Sequence, residues 1–213
     1  MTLLERLHAR YVVGGRAQVL ADHLAPLIDQ GAEVLDVGCG DGLIDRLVMR
    51  RRPDLRIRGI DTVVRPATQI PVDRYDGTTI PHPDDAFDVV LLVDVLHHEA
   101  QPERLLEETV RVARRAVVIK DVMLRGWLAG PTLRFMDRVG NERHGVALPA
   151  TYWAAEKWQR AIREAGLRVE LWNDRLGLYP PPASWVFERS FHFVSRLVPA
   201  VAASAVRADD SGA

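Results

Sequence analysis

The chain has 213 residues, 47% hydrophobic and 27% charged, which suits one globular domain with a sizeable core and excludes a disordered chain. A net charge of −1 argues against a general nucleic-acid-binding surface, and a single cysteine, Cys39, excludes a disulfide framework or a cysteine-based zinc site. No apolar stretch is long enough to span a bilayer and the N-terminus starts polar, so a cytoplasmic protein is expected.

Residues 3 to 29 read as two short helices. Leu3, Leu4, Leu7 and Tyr11 share a helical face, Gly14-Gly15 breaks the pattern, and Ala17, Leu20, Ala21, Leu24 and Leu27-Ile28 resume it, with Pro26 kinking or ending the second helix. Glu33 to Val37 is a short apolar strand that enters a glycine turn. Asp41 to Arg52 then reads as a helix that closes on three arginines and Pro53. Arg50 to Arg52 are read as a helix-terminal charge cluster. The second strand is Arg56 to Ile60, ending at Asp61, and a brief third strand lies near Val72 to Tyr75. Phe87 to Val93 is nearly continuous in apolar residues, as a strand covered on both faces of a parallel sheet should be. Pro102 to Ala113 is a helix, and Ala116 to Lys120 the fifth strand. Residues 121 to about 150 form an irregular or partly helical insert. Ala154 to Ala165 is a helix stopped by Gly166, Leu167 to Trp172 alternates as a strand, and Trp185 to Val194 is the last, long strand.

Strands alternating with helices define an α/β fold with a mostly parallel sheet, whose ligands bind at the carboxyl ends of the strands. Those ends carry the glycine turn, Asp61, Asp76, Asp94 and Asp121. Residues 34 to 42 read VLDVGCGDG, with Asp36 inside the strand and Gly38, Gly40 and Gly42 spaced by two. Leu43 stands where a G-x-G-x-x-G fingerprint needs glycine, and neither Lys120 nor Lys157 sits in a P-loop context. The glycines permit positive φ and close backbone approach to a ligand. Asp61, at the end of the next strand, is placed to accept both hydroxyls of a ribose, and Asp76-Gly77 ends the third strand.

The run VLDVGCGDG, then GID at 59 to 61, YDG at 75 to 77 and AFDVVLLVDVLHH at 86 to 98 resembles the class I S-adenosylmethionine-dependent methyltransferases, of the type 11-like kind. The resemblance covers roughly residues 30 to 120 well and the rest loosely. It implies a Rossmann-like three-layer sandwich with a seven-stranded, mostly parallel sheet whose last strand is antiparallel. It implies a single methyltransferase domain over 1–213, with residues 1–30 as a helical cover and 121–150 as the acceptor pocket or lid. It also implies S-adenosyl-L-methionine as cofactor, with Asp36, Gly38, Cys39, Gly40, Asp61, Thr62, Asp76, Gly77 and Asp94 around it. Asp61 would hold the ribose, Asp76 the adenine amine, and the backbone near Asp94 the methionine end.

The sulfonium donor is already a strong electrophile, so orientation of a nucleophile and removal of a proton are what such a protein must supply. His97 and His98, after the fourth strand, and His144, in the insert, are the candidate bases. His8, His23, His82 and His192 are read as ordinary surface or core histidines. The [NDS]-P-P-[YF] block of base- and amide-methylating relatives is replaced by Val93-Asp94-Val95-Leu96-His97-His98, which points to an oxygen, carbon or non-amide nitrogen acceptor. Trp127, Phe135, Tyr152 and Trp153 flank the insert, either lining an acceptor pocket or capping the core. No metal site is expected. The expected partner is a small-molecule acceptor, with no nucleic acid. The alternatives are an RNA methyltransferase or a non-catalytic cofactor-binding regulatory subunit.

Overall fold

The computed structural model describes residues 14–126, 129–134, 151–179, 184 and 191–200. Its first helix, α1 (Gly14–Leu24), runs into a 3-10 turn at Ala25–Leu27. The two glycines expected to break the helical pattern are instead the first two residues of α1. The earlier helix expected at Leu3 to Tyr11 lies outside the described residues. Strands and helices then alternate: β1 (Glu33–Val37), α2 (Leu43–Arg51), β2 (Arg56–Asp61), β3 (Val72–Arg74), β4 (Phe87–Val93), α3 (Pro102–Val112) and β5 (Ala113–Val122). A helical stretch over 129–134, α4 (Ala155–Glu164), β6 (Leu167–Asn173) and β7 (His192–Pro199) follow.

The seven strands form one sheet in the order β3-β2-β1-β4-β5-β7-β6. β1 pairs in parallel with β2 and β4, and β4 with β5, while β7 runs antiparallel between β5 and β6. Side chains alternate between two cores. Leu35, Val37, Val90, Leu92, Val117 and Ile119 face one side, with Leu105 and Leu106 of α3 and Trp158 and Ile162 of α4. Val34, Val89, Leu91 and Val118 face the other, with Leu20 and Leu24 of α1 and Leu47 and Val48 of α2. This is the expected three-layer, Rossmann-like α/β sandwich with antiparallel pairing at its final strand.

β5 and β7 differ most from the sequence reading. β5 spans Ala113–Val122, because the chain leaves α3 straight into pairing with β4, Ala113 opposite Phe87. The last strand, read as Trp185 to Val194, runs over His192–Pro199 among the described residues, and residues 185–190 of that reading lie outside them. Ser195 and Arg196 interrupt its apolar pattern, yet both are satisfied. The Ser195 hydroxyl donates to the Leu171 carbonyl at 2.8 Å, and Arg196 reaches Glu170, Asp29 and the Leu27 carbonyl. β6 does not show the expected alternation. As an edge strand with a bulge between Val169 and Leu171 it leaves both of these exposed, and Trp172 stacks on Phe193 with ring centroids 4.0 Å apart.

Arg51 and Arg52 bind α2 to the first helical layer. Arg51 pairs with Asp22 at 2.5 Å, and Arg52 donates to the carbonyls of Ala25 and Ile28. No helix among the described residues is long and apolar enough to cross a membrane.

Candidate functional site

The parallel registers bring the carboxyl ends of β1, β2, β4 and β5 to one edge of the sheet, and antiparallel pairing places His192, the first residue of β7, opposite Val122 at that same edge. The strand order reverses at β1, between β2 and β4, and the glycine turn opens there.

Gly38, Gly40 and Gly42 all have positive φ (75°, 62° and 73°) but answer to different constraints. A Cβ on Gly38 would lie 2.7 Å from Cγ2 of Val95, and one on Gly42 would lie 2.4 Å from Cγ1 of Ile70, so these two glycines allow the turn to pack. The three atoms nearest a Cβ on Gly40 all belong to the guanidinium of Arg65, with Nη2 at 3.1 Å. Gly40 thus faces the open side of the turn, and the space above it is the cradle a ligand would fill. The Gly38 amide donates to the Ile60 carbonyl at 2.8 Å, tying the turn to β2. Asp61 completes that tie: Oδ2 accepts from the Gly40 amide at 2.8 Å and Oδ1 from the Val63 amide at 2.9 Å. Cys39 turns its thiol to β2, where a Cβ on Gly59 would lie 2.2 Å from Sγ. Burial, followed by the nearby Asp36, Asp45 and Asp61, pushes that thiol far up, so it stays protonated.

Asp36 sits beneath the turn, 2% exposed, and faces Asp45 of α2, 1% exposed. Burial first, and then the Asp45 charge, hold the Asp36 carboxyl well above the usual carboxylate range. Burial pushes Asp45 up to about 6. Two desolvated carboxyls side by side cannot both ionise cheaply, and Oδ1 of Asp36 and both carboxyl oxygens of Asp45 are buried with no hydrogen-bond partner among the described residues. At the β3 end, Asp76 is exposed and its Oδ1 accepts from the amides of Thr79 and Thr78 at 2.8 Å each, bonds that lower its carboxyl. Gly77 follows at φ 84°, and a Cβ there would lie 3.1 Å from the Thr62 methyl.

The β4 side is an ionic cluster. Asp94 has a left-handed φ of 58°, which aspartate tolerates better than most residues. Its Oδ1 takes the ammonium of the fully buried Lys120, and its Oδ2 takes Arg16 of α1 at 2.5 Å. Burial alone would raise Asp94, but Lys120 and Arg16 more than reverse this and hold it well below the usual range. Lys120 also lies 3.3 Å from Nδ1 of His192, and burial, followed by that ammonium, keeps His192 neutral. His97, 3% exposed in the 3-10 turn Leu96–His98, places Nδ1 2.5 Å from Oδ1 of the buried Asp121. Asp121 is fixed in turn by the amides of Leu96 and Val122, at 3.0 and 2.7 Å. His98 is half-buried, its ring 3.7 Å from that of His97, and Tyr152 stacks on His97 at 6.1 Å. Trp153 is buried between Trp158 and the ammonium of Lys157.

Asp94, His97 and Asp121 offer atoms within 4.8 Å of one another, a spacing suited to a metal ion. Lys120 and Arg16 already engage both oxygens of Asp94, so the set reads as a closed ion-pair network.

The glycine turn, Asp61, Thr62 and Gly77 therefore gather on one side of the switch point, and Asp94, His97 and His98 on the other, with Asp36 buried beneath. His144, Trp127 and Phe135 lie outside the described residues. Sequence reasoning missed Asp45, Arg65 and Lys120. A signal existed for Lys120, one of two lysines and set at the end of an apolar run. None existed for Arg65, whose position depends on how its loop folds back.

The family model described as "Methionine biosynthesis protein MetW" matches residues 20–155. Among curated proteins, the Ajmaline N-methyltransferase of Rauvolfia serpentina is 24% identical over 82% of this chain and 64% of its own length. The Ubiquinone biosynthesis O-methyltransferase of Rhizobium etli (strain CIAT 652) is 26% identical over 76% of this chain and 69% of its own. The chain thus spans about two thirds of the length of these relatives. Among solved structures, an S-adenosylmethionine dependent methyltransferase from Mesorhizobium loti superposes with a TM-score of 0.62 at 17% identity, over 83% of this chain and 96% of that one. With the family model covering well over half its residues, and with this fold and glycine turn, the chain belongs to the MetW family, within the class I S-adenosylmethionine-dependent methyltransferases.

Proposed function

We propose that the chain transfers the methyl group of S-adenosylmethionine to a small-molecule acceptor, at oxygen, carbon or a non-amide nitrogen. The observation that carries this reading is the Gly40 cradle beside Asp61 at the switch point, a turn whose open face a Cβ would block. The relatives named for N- and O-methylation of small molecules support the acceptor class.

In this reading the backbone of Gly38, Cys39 and Gly40 approaches the cofactor, and the Asp61 carboxylate accepts from its ribose. Thr62, Asp76 and Gly77 border the adenine end, Asp94 presents backbone at the methionine end, and the buried Asp36–Asp45 pair lies beneath. When bound, S-adenosylmethionine supplies an electrophilic methyl carbon. The protein's part is to hold the acceptor in line and take up its proton where one is lost. Asp121 accepts from Nδ1 of His97, which makes Nε2 the basic nitrogen and leaves His97 better oriented as a base than His98.

Titration calorimetry with S-adenosylmethionine tests the reading. Wild type should bind, and Asp61→Ala should weaken binding by about 1–3 kcal/mol, the scale of a lost charge-assisted hydrogen bond. Failure of the wild type to bind, or preference for a nicotinamide dinucleotide, refutes it. Salt-dependent binding of total RNA would instead favour an RNA acceptor.

A further inference from the structure

The loop from β2 to β3 is pinned at both ends. At its start the Val63 amide is held by Asp61, and at its end the Gln69 amide donates to the Asp41 carbonyl at 2.7 Å. Ile70 is 5% exposed and packs over Gly42 and Gly59. Between these anchors stand Val63 and Val64, 66% and 40% exposed, two of four large hydrophobic side chains described as exposed. The next residue, Arg65, lays its guanidinium against Gly40, and among the described residues no carboxylate or carbonyl holds it there. One short segment therefore places a displaceable cation in the cradle and two valines in water, both at the rim of the same site.

We propose that residues 62–68 form a strap over the cofactor cradle, with Arg65 as its plug. In the empty protein the guanidinium fills the space above Gly40. As the cofactor enters, Arg65 leaves, and the strap closes with Val63 and Val64 against the ligand. Asp61 couples the two halves, because the carboxylate that would receive the ribose hydroxyls is the same one that holds the amides of Gly40 and Val63. A plugged fraction lowers the apparent affinity by the fraction of molecules whose cradle is open, so removing the plug should act on association. The proposal rests on the cofactor reading above.

Two measurements test it, with S-adenosylhomocysteine as the probe. On a sensor surface, Arg65→Ala should raise the association rate constant about threefold to tenfold with the dissociation rate unchanged, the size expected for displacing one weakly held exposed side chain. Thermolysin, which cuts before valine, should cleave the empty wild type at Val63 or Val64, and saturating S-adenosylhomocysteine should suppress that cut. An unchanged association rate with faster dissociation makes Arg65 an ordinary ligand contact and overturns the plug. Equal cleavage with and without ligand overturns the strap. A wild type that binds no S-adenosylhomocysteine refutes the cofactor reading itself, a result distinct from either.

Discussion

Asp45→Asn offers the sharpest quantitative test of the site's electrostatics. Asp45 is buried in α2 against Asp36, and burial raises its carboxyl from 3.8 to about 6. At about 1.4 kcal/mol per pKa unit, that rise is worth about 3 kcal/mol. The protonated form is the one the folded state prefers. Below about pH 4 Asp45 is neutral in both the folded and unfolded protein and no penalty exists. As pH rises through 6 it ionises in the folded protein too, and the whole contribution is lost. Burial, and then the Asp45 charge, hold the neighbouring Asp36 carboxyl well above its usual range as well. Loss of the Asp45 charge removes one cause of that rise, so easier ionisation of Asp36 adds to the variant's gain at the upper end of the range. Urea unfolding of both proteins at pH 4, 5, 6 and 7 should show the variant gaining about 3 kcal/mol on wild type across the series. Parallel stability curves, or a wild type that gains on the variant as pH rises, would show that burial does not raise the Asp45 carboxyl.

Gly40→Val should abolish S-adenosylmethionine binding by calorimetry while circular dichroism stays native: valine at φ 62° costs some stability, but the atoms nearest its Cβ belong to a movable arginine. Gly42→Val, whose Cβ would sit 2.4 Å from Ile70, should lower the melting temperature instead. Lys120→Met should destabilise the fold by about 3–5 kcal/mol in urea, since it leaves Asp94 with only Arg16. Once an acceptor is in hand, His97→Gln should cut turnover by about 10²–10⁴-fold with cofactor affinity intact and should remove the acidic limb of the pH–rate profile. Asp121→Asn should lower turnover and displace that limb, whereas a purely structural Asp121 would leave the limb where it is.

The alternation of strands and helices, the two-sided burial of β4 and the glycine turn at the sheet's carboxyl edge were all legible along the chain. Each depends on short-range patterns: the apolar run Phe87–Val93, the glycines of VLDVGCGDG, and acids at the ends of the next two strands. What escaped was whatever depends on partners distant in sequence. β7 could not be delimited because Ser195 and Arg196 look like surface residues until Leu171, Glu170 and Asp29 are brought beside them. β6 alternates as a half-buried strand would, and only its place at the sheet edge exposes Val169 and Leu171. His192 read as an ordinary histidine, but β7 brings it to Lys120, 72 residues away. Of three like-spaced glycines, Val95 and Ile70 claim two for packing and leave Gly40 open to a ligand. Local pattern determines which residue types stand at the carboxyl edge. Tertiary contact decides which of them are neutralised, buried or left facing a ligand, because desolvation and charge pairing act through space and not along the chain.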